Sequence, residues 1–165
     1  MWLWKGNNGG VFFLSTESWK AWRRSLEFYK GISFSAKLKR LILLWGYPFI
    51  RRNCTCEEVE LLIKESTGVL PTNLTERCAG IISPTGDKAV VHLETGGYWK
   101  AASGKSYVGV RQEAEVYRLL AEKKPKLFGY SSISDFQDTG TSVSFIMSEE
   151  PEAFCGRQCV DMEEV

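Results

Sequence analysis

The sequence predicts an α+β fold, a five-stranded antiparallel sheet with one packed helix, preceded by an α-helical N-terminal segment. Three observations predict it. Apolar residues recur at helical spacing through most of the first seventy positions, and after Pro71 the spacing changes to short strand-like runs separated by turn residues. One further segment with helical spacing separates the first three of these strand-like runs from the last two. We therefore divide the chain into a basic amphipathic helical segment (1–70), a sheet-and-helix unit (71–150) and a tail (151–165).

Three helices are predicted before residue 70, so we expect this whole segment to be helical. They cover residues 15–31, 35–46 and 55–68, and each carries its apolar side chains on one stripe. The third begins at the capping box Thr55-x-x-Glu58, in which each side chain can bond to the backbone N–H of the other residue. Glycine stands at the C-terminal end of all three, where its backbone freedom favours helix termination.

The basic residues are concentrated in the first third of the chain. Up to Arg52 there are ten lysines and arginines against two glutamates, a net charge of +8, whereas the remaining residues carry −7. Residues 15–52 can therefore contact an anionic membrane surface, nucleic acid or the acidic half of the same chain. Alternatively, they form a solvated helix face whose aromatic residues are core. Nucleic acid is the least favoured partner, because the aromatic residues recur at core spacing and no recognised nucleic-acid motif is present.

Several classes of protein are disfavoured by composition. Five cysteines is an odd number, and neither closely spaced pair, C-T-C or C-x-x-x-C, has the spacing of a structural zinc site. His92 is the only histidine, so a metal site built from several histidines cannot form. The longest apolar run, residues 41–45, is far below the roughly 20 residues that span a bilayer. We expect a cytoplasmic protein with reduced thiols, which the basic segment can bring to the inner membrane face as a peripheral protein.

Five strands and one helix are predicted between residues 78 and 147. The helix lies within residues 110–121 and ends before Pro125, which cannot continue it. The last two strands are joined across the turn-rich residues 138–141. The predicted strands are Cys78–Ser83, Lys88–Leu93, Tyr98–Ala102, Leu127–Tyr130 and Val143–Met147.

A lysine and a glutamate form the candidate site of this unit. Lys100 lies on the third predicted strand, and Glu113 follows thirteen residues later on the helix. Glu113 shares its helical stripe with Val110 and Tyr117, whereas Glu115 lies beside charged residues. A carboxylate on the apolar side needs a partner, and a strand lysine directed at the same cleft removes much of the cost of burying it. The alternative is an exposed Glu113 in a surface network, with Lys100 an ordinary strand lysine.

These elements resemble the small lobe of protein kinases and their relatives, in which three strands, a helix and two strands cover a nucleotide. Residues 111–120, R-Q-E-A-E-V-Y-R-L-L, look like the helix of the aminoglycoside phosphotransferase group and the related bacterial lipopolysaccharide and sugar kinases. Residues 125–127 resemble the start of that group's fourth strand, and residues 145–149 resemble its fifth strand running into the hinge. The resemblance covers residues 75–150.

The resemblance implies an ATP site. Lys100 would hold the α- and β-phosphates and Glu113 would orient it, as the corresponding pair does in that fold. Met147 and Glu149 would stand at the hinge, whose backbone pairs with adenine. The first hairpin would approach the phosphates through hydroxyl and backbone N–H groups, with Ser83, Thr85 and Gly86 as its site residues.

The resemblance also implies an incomplete kinase. In that family the catalytic aspartate, the neighbouring asparagine and the metal-binding aspartate follow the hinge in a second lobe, and residues 151–165 contain no histidine–aspartate loop. We expect a truncated or split kinase-like protein of sugar or lipopolysaccharide phosphorylation that is inactive alone and binds ATP weakly. Mg²⁺ would bind only if a second lobe were supplied, and the partner would be that lobe or another protein. The alternative is a non-catalytic binding or regulatory module that docks a protein on the same sheet and helix.

Overall fold

The computed structural model describes residues 1–6, 8–28, 34–71, 74–75, 78–123 and 131–148. Within these ranges the protein is an α+β fold with an antiparallel sheet, as predicted. The helices are α1 (Trp19–Phe28), α2 (Phe34–Gly46), α3 (Cys56–Thr67) and α4 (Tyr107–Lys123), with short 3₁₀ helices at Tyr47–Phe49 and Gly104–Ser106. The strands are β1 (Trp2–Lys5), β2 (Val11–Leu14), β3 (Ala79–Ile82), β4 (Lys88–His92), β5 (Tyr98–Ser103), β6 (Ile133–Asp138) and β7 (Ser142–Met147).

The strands form one sheet in the order β1-β2-β3-β4-β5-β7-β6, and all neighbouring pairs are antiparallel. Residues paired across strands point to the same side of a sheet, whereas successive residues along a strand point to opposite sides. Val90 of β4 pairs with Lys100 of β5, and Lys100 pairs with Phe145 of β7. These three side chains therefore share one face.

The N-terminal hairpin corrects the prediction that the first seventy residues are helical throughout. β1 and β2 pair with each other, and β2 pairs with β3, with Phe13 opposite Gly80. The described sheet therefore has seven strands and not the predicted five. The sequence does carry the signal for this hairpin, because runs of aromatic and apolar residues flank a turn rich in asparagine and glycine.

The strand before β7 in the described part of the chain is β6, which the sequence analysis did not predict. It pairs with β7 on the side opposite β5, and the predicted strand Leu127–Tyr130 lies outside the described residues. The pairing of β6 shifts register between Ser134 and Gln137, and Asp135 has a φ of 50°. A bulge of this kind breaks the alternation of apolar and polar residues by which a strand is recognised in a sequence.

The predicted helices are present. In α3 both ends are fixed by residues next to the helix in the sequence. Thr55 Oγ1 accepts a hydrogen bond from the Glu58 N–H at 3.2 Å, and Glu58 Oε2 accepts one from the Thr55 N–H at 2.6 Å. This is the predicted capping box. At the other end Gly68 adopts a φ of 73°, and its N–H bonds to the Lys64 carbonyl.

The helices lie on both faces of the sheet. On one face α3 packs Val59 and Ile63 into a core cluster with side chains of β2, β4 and β5. On the opposite face α1 packs against β2 and β3, and α4 packs against β5, β6 and β7. The side chains that join α1 and α4 to this second face form two separate clusters, Leu14, Trp22, Leu26 and Ala79 for α1, and Ala102, Val110, Ala114, Val143 and Phe145 for α4.

Candidate functional site

Between α1 and α4, the middle of the sheet is only half covered. Ile81 of β3 pairs with Val90 of β4, and Val90 pairs with Lys100 of β5. We call the row Ile81, Val90 and Lys100 the central strip. All three side chains are half-buried, whereas their sequence neighbours on the other face, among them Ile82 and Ala101, are buried under α3. The strip is a partly exposed apolar surface with a cation at one end.

Lys100 and Glu113 meet where β5 and α4 pack together. Lys100 Nζ lies 2.5 Å from Glu113 Oε1, and the two side chains are 15% and 31% exposed. The predicted contact is therefore present. β5 directs Lys100 toward the α4 side because Lys100 is two residues from Ala102, which packs against Val110 and Ala114 of α4.

The other charged residues of α4 form a separate network. Arg111 Nε lies 3.1 Å from Asp138 Oδ2 and 3.4 Å from Glu115 Oε1, and Tyr107 Oη donates to Asp138 Oδ1 at 2.8 Å. Asp138 Oδ1 also accepts a hydrogen bond from the Gly140 N–H. The bond from Gly140 and, to a smaller extent, the bond from Tyr107 hold the pKa of Asp138 below its usual range. Glu115 therefore belongs to the surface and Glu113 to the side of α4 that faces the sheet.

The β3–β4 hairpin is organised by a carboxylate. The hydroxyl of Thr85 donates to Asp87 Oδ1, the hydroxyl of Ser83 donates to the same oxygen at 3.2 Å, and the Ser106 N–H donates to Asp87 Oδ2 at 3.0 Å. These bonds, chiefly that from Thr85, hold the pKa of Asp87 below its usual range, although partial burial opposes them. Gly86 adopts a φ of 72° at the tip of the turn.

Asp87 is a residue of the candidate site to which the sequence analysis assigns no role. The pattern S-P-T-G-D contains the signal, because serine, threonine and aspartate side chains in turns bond to one another and to nearby backbone. The hydroxyls of Ser83 and Thr85, which were predicted to approach phosphates, therefore donate their hydrogen bonds to the Asp87 carboxylate in this structure.

Met147 lies on the same face as the lysine. It pairs with Tyr98, two residues before Lys100, and with Ile133 of β6, and its side chain packs against the α4 cluster. Glu149 lies outside the described residues. Lys100, Glu113 and Met147 therefore share one face of the sheet, while Ser83, Thr85 and Gly86 lie at the hairpin where β4 begins, near the C-terminal end of β5.

Three further properties bear on the chemistry of the described part of the chain. It contains no group of three histidine, cysteine, aspartate or glutamate side chains placed to hold a metal ion. Cys54, Cys56 and Cys78 are thiols and not disulfide sulfurs. Its helices lack the combination of length and apolar character that crossing a bilayer requires.

Comparison of the chain with protein-family models, curated proteins and solved structures finds no match. What the site can do chemically rests on its own residues. A lysine held by a carboxylate can bind an anion, and an apolar strip beside it can pack against a planar ring.

Proposed function

We propose that this chain is a kinase-like nucleotide-binding unit, related to phosphotransferases of sugars or surface glycans, in which Lys100 contacts the phosphates of ATP. The observation that carries the proposal is the Lys100–Glu113 pair, 2.5 Å apart at the edge of the half-exposed central strip. The strand-then-helix order of these two residues matches the kinase-like small lobe that the sequence resembles.

The pair suits phosphate binding better than it suits a purely structural role. An ion pair of two half-buried groups adds little to stability, because desolvation offsets the attraction between the charges. It does fix the ammonium group of Lys100 at one place, beside Val90 and Ile81, where a nucleotide base can cover the apolar part of the strip. Phosphate oxygens would then share the lysine with Glu113.

The proposal concerns binding, and phosphoryl transfer needs more than binding. A general base must activate the acceptor hydroxyl, and metal ions must neutralise the charge that develops on the transferred group. A separate lobe would supply these groups. We therefore expect the isolated chain to bind ATP weakly and to transfer no phosphate.

Binding can be tested by titrating the full chain with ATP, with and without Mg²⁺, by isothermal calorimetry. Lys100→Ala removes a charge-assisted contact, which contributes about 1.5 to 3 kcal/mol, so affinity should fall about 10- to 100-fold. Lys105→Ala is the matched control, because Lys105 is exposed in the 3₁₀ helix beyond β5 and should leave affinity unchanged. Circular dichroism would verify that both variants fold. An affinity that is the same in Lys100→Ala and the wild type would refute the proposed site.

A second candidate is a non-catalytic module that docks a protein partner on the same sheet and helix. The observation that favours it is Asp87. Its carboxylate accepts hydrogen bonds from the hydroxyls of Ser83 and Thr85, and its negative charge would repel a phosphate. Asp87→Asn separates the two candidates. It should strengthen ATP binding if the hairpin approaches the phosphates. The module is favoured if neither the wild type nor Asp87→Asn binds ATP.

A further inference from the structure

The helix α2 presents its apolar side to solvent. Phe34, Leu38, Leu41, Ile42, Trp45 and Phe49 are all exposed large hydrophobic residues, and we call them the α2 stripe. Their spacing places those within α2 on a single helical face, which the 3₁₀ helix extends to Phe49. The three aromatic members are the most exposed, Phe34 at 82%, Trp45 at 75% and Phe49 at 87%. Soluble proteins rarely leave such a continuous apolar surface without a binding role.

The opposite side of α2 explains why this stripe faces outward. Leu43 and Leu44 pack against the cluster that contains Trp22 and Leu26 of α1. Trp22 Nε1 also donates a hydrogen bond of 3.0 Å to the carbonyl of Leu43. α2 is thus attached to the rest of the fold through the side opposite the stripe, and the attachment does not need the exposed residues.

Cations flank the α2 stripe. From residue 28 to residue 56 the sequence contains six lysines and arginines and no aspartate or glutamate. Lys37 and Lys39, on the two borders of the stripe, are exposed, as are Arg51 and Arg52 just beyond it. An apolar helix face with basic borders is the pattern by which monotopic helices bind the interface of anionic membranes.

A cleft next to the stripe has the chemistry to receive a lipid headgroup. It lies between α1 and α2, has a volume of about 450 Å³, and is lined by Arg23, Lys37 and Arg40, by Glu27, and by three leucines, Leu26, Leu41 and Leu44. Three cations against one carboxylate leave a net positive charge, and guanidinium groups bind phosphate well. Because Leu41 belongs to both the cleft and the stripe, a phosphate in the cleft and acyl chains under the stripe are compatible positions for one lipid.

We propose that the α2 stripe and its basic borders dock this protein on the surface of an anionic phospholipid bilayer, with a headgroup phosphate in the α1–α2 cleft. We choose an anionic bilayer as the binding partner because its negative charge complements the basic residues that border the stripe. A second copy of the chain, meeting the stripe with its own stripe, would bring two sets of cations together, and the repulsion opposes a symmetric dimer. The proposal is independent of nucleotide binding, because it involves neither Lys100 nor the central strip.

Vesicle flotation of the full chain tests the proposal. We expect binding to vesicles of phosphatidylcholine with about one third phosphatidylglycerol, weak or no binding to pure phosphatidylcholine, and loss of binding as salt screens the charges over a Debye length of about 10 Å at 0.1 M. The double variant Trp45→Ser and Phe49→Ser should weaken binding to the anionic vesicles at least about tenfold, since two large apolar side chains no longer enter the interface. Both side chains are exposed, so the fold should persist.

The matched control is the pair Leu61→Ser and Leu119→Ser, which removes two exposed apolar side chains from α3 and α4. These lie outside the stripe, so binding should be unchanged. Lys37→Gln with Arg40→Gln tests the cleft and should weaken binding to the anionic vesicles about 25-fold, since each cation near the surface contributes about fivefold.

Three outcomes would overturn the proposal. One is binding to neutral vesicles that is as strong as binding to anionic vesicles and that persists at high salt. Another is binding to anionic vesicles that is as strong in the Trp45 and Phe49 double variant as in the wild type. The third is the absence of vesicle binding together with a dimer, seen in analytical ultracentrifugation and lost in that double variant, because the stripe would then be an interface between copies of this chain.

Discussion

At the scale of single residues, two carboxylates with different environments define the site. Glu113 is half-buried beside α4's apolar residues and is bonded to Lys100. Asp87 accepts two hydroxyl groups and one backbone N–H, which ties the β3–β4 hairpin to the 3₁₀ helix after β5. The first carboxylate holds a cation in place, and the second fixes the shape of a loop.

Asp87 should make stability depend on pH in the acid range. Its hydrogen bonds keep its pKa in the folded state below the unfolded value of about 3.9, so its contribution is complete above that value and is lost as the pH falls toward the folded pKa. We expect Asp87→Asn to be less stable than the wild type at neutral pH, with a difference that shrinks below a pH of about 4. Urea unfolding at several pH values measures it.

The control for this prediction is Glu65→Gln, which neutralises an exposed carboxylate of α3. Its difference from the wild type should change less over the same pH range. A stability difference for Asp87→Asn that is the same at neutral and acid pH would contradict the assigned role of the carboxylate.

At the scale of elements, close approach between strands decides which glycines can be replaced. A Cβ added to Gly80 of β3 would lie 2.5 Å from the Val90 carbonyl oxygen of β4 and would overlap the ring of Phe13 from β2. Gly109, in the first turn of α4, has open space where its Cβ would be. The same substitution should therefore have opposite effects at the two positions.

We expect Gly80→Ala to destabilise the protein by about 1 to 3 kcal/mol or more, because either β2 or β4 must move. Gly109→Ala should stabilise it by about 0.5 to 1 kcal/mol, since alanine reduces the conformational freedom of the unfolded chain and fits a helix. Urea unfolding midpoints of the two variants measure both effects. Equal stability of Gly80→Ala and the wild type would contradict the close approach of both β2 and β4 to Gly80.

At the scale of the whole molecule, the first seventy residues and the residues after them share one sheet and one core. β2 pairs with β3, and Ile63 of α3 packs in the same cluster as Val91 and Trp99 of the sheet. The sheet face under α3 would be exposed to water without the N-terminal residues. We therefore expect the sheet and the helices that cover it to unfold together.

Ile63→Ala tests this coupling. Removing a fully buried side chain should cost about 2 to 5 kcal/mol. If the sheet and α3 form one cooperative unit, unfolding monitored by tryptophan fluorescence and by far-ultraviolet circular dichroism should give one transition with the same lowered midpoint. Two separated transitions, with only the first shifted, would show that the N-terminal residues fold as an independent unit.

The features that depend on residues close together in the chain can be predicted from the amino-acid sequence alone. The capping box of α3, the termination of α3 at Gly68 and the turn at Gly86 are contacts within a few residues, and the side chains that make them are visible in the sequence. The Lys100–Glu113 contact was also predictable, because alternation along β5 and the helical stripe of α4 each limit where one of the two side chains can point.

Which surfaces are covered depends on contacts between segments that are far apart in the sequence. Helical spacing shows that Leu38, Ile42 and Trp45 share a face of α2, but the same spacing fits a core face and a docking face. The packing of Leu43 and Leu44 against α1 turned that face to solvent. The joining of β2 to β3 was equally hidden, since it pairs residues nearly seventy positions apart. Local sequence patterns predict backbone geometry, because they depend on neighbouring residues. Burial depends on which distant segment packs against a surface, and that packing is set by the free energy of the whole folded chain.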